Sequence, residues 1–292
     1  MKNLLAGALM LVAGQAWAVP VASDNFNTGT DASWTHYAPG ALGQTFSFPV
    51  NPADGTLAYQ VTSDAGTGAN PGRVGSFLVG GSGVADFTIT TDLINWNNDM
   101  SMNMGVMGRV QTPLPGTTFP LGYALVYANR ASAGGGGTDQ LRLYKVISSS
   151  VGFMNDGLGG MGQFGVVAGG SAAPNPNGDY QLVFSGFGNV FTGQIIDKST
   201  GLALTFNDGF GGLTDRIIAS DPGVSGGFGA LYATGAYGYF GFVGAGGASN
   251  GIDFTVDNFS ITATAAVPEP GTLALLGLGL AGLGLSRRRK AN

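Results

Sequence analysis

Along most of the chain, apolar and polar positions alternate with a period of two, in short runs separated by Gly, Asn, Asp and Pro. Successive side chains of a strand point to opposite faces, so this pattern predicts half-buried β-strands. Asp86–Trp96 (DFTITTDLINW) predicts a long strand with Phe87, Ile89, Thr91 and Leu93 on one side. Thr56–Val61, which follows an Asp54-Gly55 turn, Asn103–Val110, Leu121–Asn129 and Gln140–Ile147 predict four more, the last two joined by the Gly134–Gly137 loop. The clearest hairpin is Asp179–Asp197, where YQLVFSGF and NVFTGQIID flank a turn near Gly188-Asn189. LALTF follows, and further strands are predicted around Phe228–Ala233, Tyr237–Val243 and Ile252–Ile261. The Gly-rich, weakly patterned segments Ser148–Ala173 and Gly209–Ser225 read as long loops. About a dozen strands, with no amphipathic helix to cover a parallel sheet, predict an all-β antiparallel two-sheet sandwich.

The two ends break this pattern. Lys2, the apolar run Leu4–Val12 and the small residues Ala16 and Ala18 around Trp17 have the three parts of a secretory signal peptide, residues 1–18, cut after Ala18. At the other end, Val267-Pro268-Glu269-Pro270-Gly271 precedes Thr272–Leu285, a run of Thr, Leu, Ala and Gly only, and then Ser286-Arg287-Arg288-Arg289-Lys290. Pro268 and Pro270 fix φ and lack N–H donors, which holds this segment extended and accessible to a recognising enzyme. As a hydrophobic helix the apolar run reaches only about 21 Å, against a hydrocarbon core of about 30 Å. With the arginines snorkelling to the cytoplasmic surface it suits a transient stop in the inner membrane, later cut; a permanent anchor is the alternative. Residues 19–266 then form one sandwich domain and residues 267–292 a C-terminal signal, and a body of this size needs only one core.

Charge narrows the partners. The body has seven Lys and Arg against sixteen acidic residues, all Asp, a net charge of −9. It offers no basic patch for phosphates, so nucleic acid is not an expected partner. With no Cys, the exported body relies on its core rather than on disulfides, and thiol chemistry is excluded. His36 is the single His and the body lacks Glu, so no acid–base constellation stands out, and no enzymatic activity is expected. Gly277–Gly282 matches G-x-G-x-x-G literally, but no strand precedes it and no acidic residue follows, so it is not a dinucleotide site.

Asp24, in Asp24-Asn25-Phe26-Asn27, and Asp257, in Asp257-Asn258, are the candidate calcium ligands, because that cation takes oxygens from carboxylates and carbonyls and terminal strands of a sandwich often pair. The same residues suit Asx turns. Trp34, Trp96, Tyr123, Tyr127, Tyr144, Tyr237 and Tyr239 fit either a sugar-stacking platform or the core.

The PEP segment, the Leu/Gly/Ala run and the basic cluster together resemble the PEP-CTERM sorting signal of Gram-negative bacteria. The resemblance implies cleavage near Pro268, Glu269 and Pro270 by an exosortase, after signal peptidase has acted at the other end, in organisms that make an extracellular polysaccharide matrix. The family's basic stop falls on Arg287, Arg288, Arg289 and Lys290. The body resembles the concanavalin A-like or laminin-G-like jelly roll through DNFN, Met104–Arg109 (MGVMGR), YQLVFSGFGNVFTGQIID and VDNFSI. That likeness implies a curved sandwich that binds carbohydrate or protein; glucanases of the superfamily act through Glu, which the body lacks. The combined expectation is an exported surface or biofilm-matrix protein that binds or organises exopolysaccharide. The alternatives are a structural envelope protein without a ligand and a calcium-dependent glycan hydrolase.

Overall fold

The inward positions of the alternating runs meet in a shared core, and that core defines two sheets. The computed structural model describes residues 19–38, 43–65, 72–78, 83–111, 120–129, 139–147, 150–153, 163–165, 174–207, 212–221, 232–243 and 251–263. The predicted signal peptide, the predicted C-terminal signal with its hydrophobic helix, the Gly134–Gly137 loop and most of the predicted Phe228–Ala233 strand lie outside these residues. Pro20–Ala263 is one compact unit.

Its strands are β1 (Val19–Asp24), β2 (Trp34–Tyr37), β3 (Thr45–Ser47), β4 (Tyr59–Ser63) and β5 (Arg73–Leu78), then the long β6 (Phe87–Trp96), β7 (Met102–Gln111), β8 (Leu121–Asn129) and β9 (Gln140–Ile147). β10 (Ser150–Phe153) and β11 (Gln163–Gly165) follow, then the hairpin β12 (Tyr180–Phe187) and β13 (Val190–Asp197). Four short strands come next: β14 (Leu202–Ala203), β15 (Phe206–Asn207), β16 (Leu213–Thr214) and β17 (Ile217–Ser220). β18 (Ala236–Phe242) and β19 (Ile252–Ala263) end the series. Among the described residues there is no helix, and none long and apolar enough to cross a membrane.

One sheet runs β14-β13-β12-β6-β19-β4-β3, with β1 beside β19 and β17 beside β13; the other runs β16-β15-β11-β9-β8-β7-β18-β5-β2, with β10 beside β9. The strand pairs whose register is resolved are antiparallel. Ile89, Leu93, Phe184, Phe191, Phe254 and Ile261 from the first sheet pack with Met104, Val106, Leu125, Leu143 and Tyr239 from the second, all essentially inaccessible. The sandwich expected from the alternation is therefore present. The expectation of long loops is corrected at Ser148–Ala173 and Gly209–Ser225, which contain β10, β11, β16 and β17. These strands are two to four residues long, too short to display a period of two.

The outer faces of the two sheets differ. On the second sheet, Tyr37, Phe77, Met107, Val126, Tyr144, Phe240 and Phe242 form a second apolar cluster no more than 6% exposed. On the first sheet, the outward positions are mainly Thr, Ser, Gln and Asp, many of them half-buried, with Val183, Phe187, Val190 and Ile196 among them.

Candidate functional site

The outer face of the first sheet is built by the same alternation that builds the core. Phe184, Leu182, Phe191 and Ile195 turn inward, which turns Gln181, Val183, Ser185, Thr192 and Gln194 outward. Register then aligns their hydroxyls and amides across strands. Thr88 and Ser185 share a hydrogen bond of 2.8 Å between β6 and β12. Gln60 accepts from Ser47 Oγ at 3.1 Å and donates to Asp253 at 2.8 Å, tying β3, β4 and β19 together. At the hairpin end of this face three apolar side chains stand in the open: Phe187 (62% exposed), its cross-strand neighbour Val190 (40%) and Ile218 on β17 (46%). The face thus combines donors and acceptors with one exposed aromatic ring, the two elements that hold a polyhydroxylated ligand: hydrogen bonds to hydroxyls and stacking on its C–H surface. Sequence reading passed over it, because outward Thr and Gln look the same as any solvated strand face.

Near the middle of the face a bulge in β19 places Asp257 opposite Asp92. Asn258 adopts a left-handed φ of 50°, so its side chain reaches Asp92 Oδ2 at 2.9 Å while its N–H donates to Asp257 Oδ1 at 2.7 Å. Lys198 meets Asp92 at 2.8 Å and Asp179 at 3.0 Å. Asp92 Oδ1 is buried without a partner. Burial pushes the Asp257 carboxyl above the ordinary carboxylate range, and the nearby charges of Asp54 and Asp92 add to the effect against the hydrogen bonds from Asn258 and Asn51.

The predicted calcium ligands occupy ordinary hydrogen-bonding roles here. Asp24 accepts from Phe26 N–H and from Trp34 Nε1, each at 2.8 Å, the first closing an Asx turn. β1 does pair with β19, as expected of terminal strands. Asp257 accepts from Asn51 Nδ2 at 3.1 Å. Among the described residues no cluster of three or more His, Asp or Glu could hold a metal ion. Trp34, Trp96, Tyr123, Tyr127, Tyr144, Tyr237 and Tyr239 are all buried, which resolves the platform-or-core alternative in favour of core.

His36 has more company than its sequence neighbours suggest. Its Nε2 lies 2.9 Å from Asp31 Oδ2 and 3.2 Å from the Tyr59 hydroxyl, which also shares a 2.8 Å hydrogen bond with Ser76. Ser76 is fully buried and meets Tyr59 rather than His36, so the quartet is not arranged as a nucleophile with its base. It ties β2, β4 and β5 across the core, and burial pushes the Tyr59 phenol up.

Comparison with known proteins adds one assignment. A search of curated proteins gives no match. Solved structures align over most of the chain at low identity. A protein of unknown function with a galectin-like fold from Bacillus subtilis is 12% identical with a TM-score of 0.47, covering 85% of this chain and 94% of its own. A glycoside hydrolase family 16 endo-glucanase from Bacteroides ovatus is 13% identical with a TM-score of 0.45, covering 82% and 99%. The Ca2+-bound exoplasmic/lumenal domain of VIP36 is 8% identical with a TM-score of 0.40, covering 81% and 87%. Residues 266–290, by contrast, match the model of a protein-sorting motif directly, and they contain Pro268, Glu269, Pro270 and the basic cluster. The chain carries a PEP-CTERM protein-sorting motif at its C-terminal end.

Proposed function

We propose that this protein is exported through its N-terminal signal, held briefly in the inner membrane by its C-terminal segment, released by an exosortase near Pro268-Glu269-Pro270, and retained at the cell surface or in the extracellular matrix. The sorting motif carries this part of the reading. In it residues 1–18, 19–266 and 267–292 are leader, jelly-roll body and sorting signal. Cleavage beyond Ala266 leaves every described strand intact, since β19 ends at Ala263. The test is the intact mass of the protein from its host, compared with a variant carrying Ala at positions 268, 269 and 270. The native protein is expected to lack both Met1–Ala18 and the residues beyond the motif, with the variant keeping its tail in the inner membrane. Intact tails in both would refute processing.

We further propose that the body works by binding extracellular polysaccharide on the outer face of its first sheet, with no catalytic role. The observation behind this is the exposed Phe187 beside rows of Ser, Thr and Gln. Co-sedimentation of the purified protein with the host's own exopolysaccharide tests it. Phe187→Ala removes a side chain that is mostly in water, so folding is unaffected while retention is expected to fall up to about tenfold, the loss of about 0.5–1.5 kcal/mol for one stacking contact. No retention of the native protein would leave the ligand-free structural reading, and release of reducing ends would favour the hydrolase.

A further inference from the structure

One ion pair lies inside the sandwich. In the antiparallel register Lys145 on β9 faces Tyr123 on β8, and Tyr123 belongs to the core between the sheets. Asp221 follows β17 of the opposite sheet, and its N–H is fixed by Asn189 O at 2.9 Å. Lys145 Nζ lies 2.8 Å from Asp221 Oδ2 and 3.0 Å from Oδ1, with the two side chains 3% and 2% exposed. Tyr123 donates its hydroxyl to the same Oδ2 at 2.6 Å, and that hydroxyl is in turn fixed by Tyr232 N–H at 3.1 Å. Phe191 stacks on the Tyr123 ring at 4.0 Å. The other Lys and Arg ion pairs among the described residues all reach solvent on at least one side, through Asp86, Lys198 or the Arg216–Asp215 pair.

Two charges held this dry carry a desolvation cost that their attraction offsets only with close geometry. Moving one proton from Nζ to the carboxyl group removes both charges and leaves an amine lone pair against the carbon of a carboxylic acid. Those are the reactants of an amide. We propose that Lys145 and Asp221 condense into an intramolecular isopeptide bond between Nζ and Cγ.

The step balances without an oxidant or a co-reactant. The neutral amine attacks Cγ, forming the C–N bond and placing negative charge on Oδ2, where the Tyr123 hydroxyl already donates. Nζ then gives a proton to the Oδ1 hydroxyl, the Cγ–Oδ1 bond breaks, and one water leaves. Oδ2 remains as the amide carbonyl, still bound by Tyr123. Proximity supplies the driving geometry, because the fold holds both reactants in contact. The product joins the two sheets across 76 positions of sequence in a chain without cysteine, constraining the unfolded chain as a disulfide would.

The intact mass of the purified full chain, followed by peptide mapping, tests this. The native protein is expected to weigh one water less than its termini require, with the peptides containing Lys145 and Asp221 recovered as one branched species and Lys145 resistant to trypsin. Lys145→Ala and Asp221→Ala are expected at full mass. Tyr123→Phe keeps the ring and the ion pair but removes the donor at Oδ2, and is expected to form the bond at least tenfold more slowly. A native protein at full mass, with Lys145 cleaved normally, would establish a buried ion pair only and overturn the proposal, whether or not the substituted proteins fold.

Discussion

Phe87 packs into a space that two glycines leave open. A side-chain carbon at Gly108 on β7 would lie 2.5 Å from the Phe87 ring, and one at Gly186 on β12 would also lie 2.5 Å from it and 2.9 Å from Phe191. The sheets close on this ring because both positions lack Cβ. Gly186→Ala should therefore destabilise the protein by about 1–3 kcal/mol through overpacking. Combining it with Phe87→Leu should recover part of that loss, and a double-mutant cycle by urea denaturation measures the coupling. Additive losses would mean that the two positions do not compete for this space.

Asp257 gives a pH-dependent prediction at the same scale. Its folded carboxyl binds protons more tightly than the unfolded one, so the native state holds more protons between the ordinary Asp range and the raised folded value. Stability contributed by this group is present below that window and is lost as pH rises through it. Asp257→Asn removes the titration, so the variant should gain on the native protein as pH rises from the acid side toward neutrality. Exposed Asp54 and Asp197 behave oppositely, since hydrogen bonds from Thr56 and Ser199 hold their carboxyls below the ordinary range. Urea midpoints of both proteins at matched pH values isolate Asp257, and a constant difference across the series would contradict its raised value.

At the scale of elements, the bulge in β7 turns Arg109 inward. The residue has φ of 52°, and the pairing with β8 shifts between Gly108 and Gln111. Its guanidinium donates to the carbonyls of Ala85, Gly188 and Tyr232 at 2.9, 2.6 and 3.2 Å and lies over Phe87 and Phe191. One buried side chain thus pins three loop segments to the end of the sandwich. Arg109→Met fills similar space but strips the donors, so a loss of about 3 kcal/mol or more is expected from the stranded carbonyls. A calorimetric melting point close to the native one would show that water replaces the guanidinium.

Elements are legible in the sequence in proportion to their length and to the turn residues that bound them. β8 and β9 were delimited to the residue, and β6, β12 and β13 within one, because each is long and bounded by turn residues. β5 is not predicted, since Arg73–Leu78 is only six residues long, carries Gly75 within it and shows no alternation. The chemistry was less legible than the fold. Asp31, His36, Tyr59 and Ser76 come from four places in the chain, and Lys145 meets Asp221 from the opposite sheet. No spacing encodes such meetings, whereas the sorting motif is one continuous stretch of sequence and is therefore wholly visible in it.

Over the whole molecule, strand order links folding to sorting. β19, the last of the described strands, does not sit at an edge: it lies between β6 and β4, pairing with Trp96 to Phe87 on one side and with Tyr59 to Ser63 on the other. Its Ile252, Phe254, Val256, Phe259 and Ile261 are all core. The first sheet cannot close until this strand is available, and pairing so remote in sequence makes for slow folding. The strand ends at Ala263, and the sorting motif begins at residue 266. On the proposed reading, export of the last described strand and delivery of the motif to the membrane are nearly one event, and the body would fold while its tail is still held there. A chain ending at Ala263 should melt within about 2 °C of the processed protein, since a ΔΔG near zero shifts the midpoint little. A chain ending at Gly251, which lacks only β19 among the described strands, should show no cooperative transition by near-UV circular dichroism. A cooperative melt in the shorter chain would mean that β6 and β4 find another partner, and that the body can fold before its motif arrives.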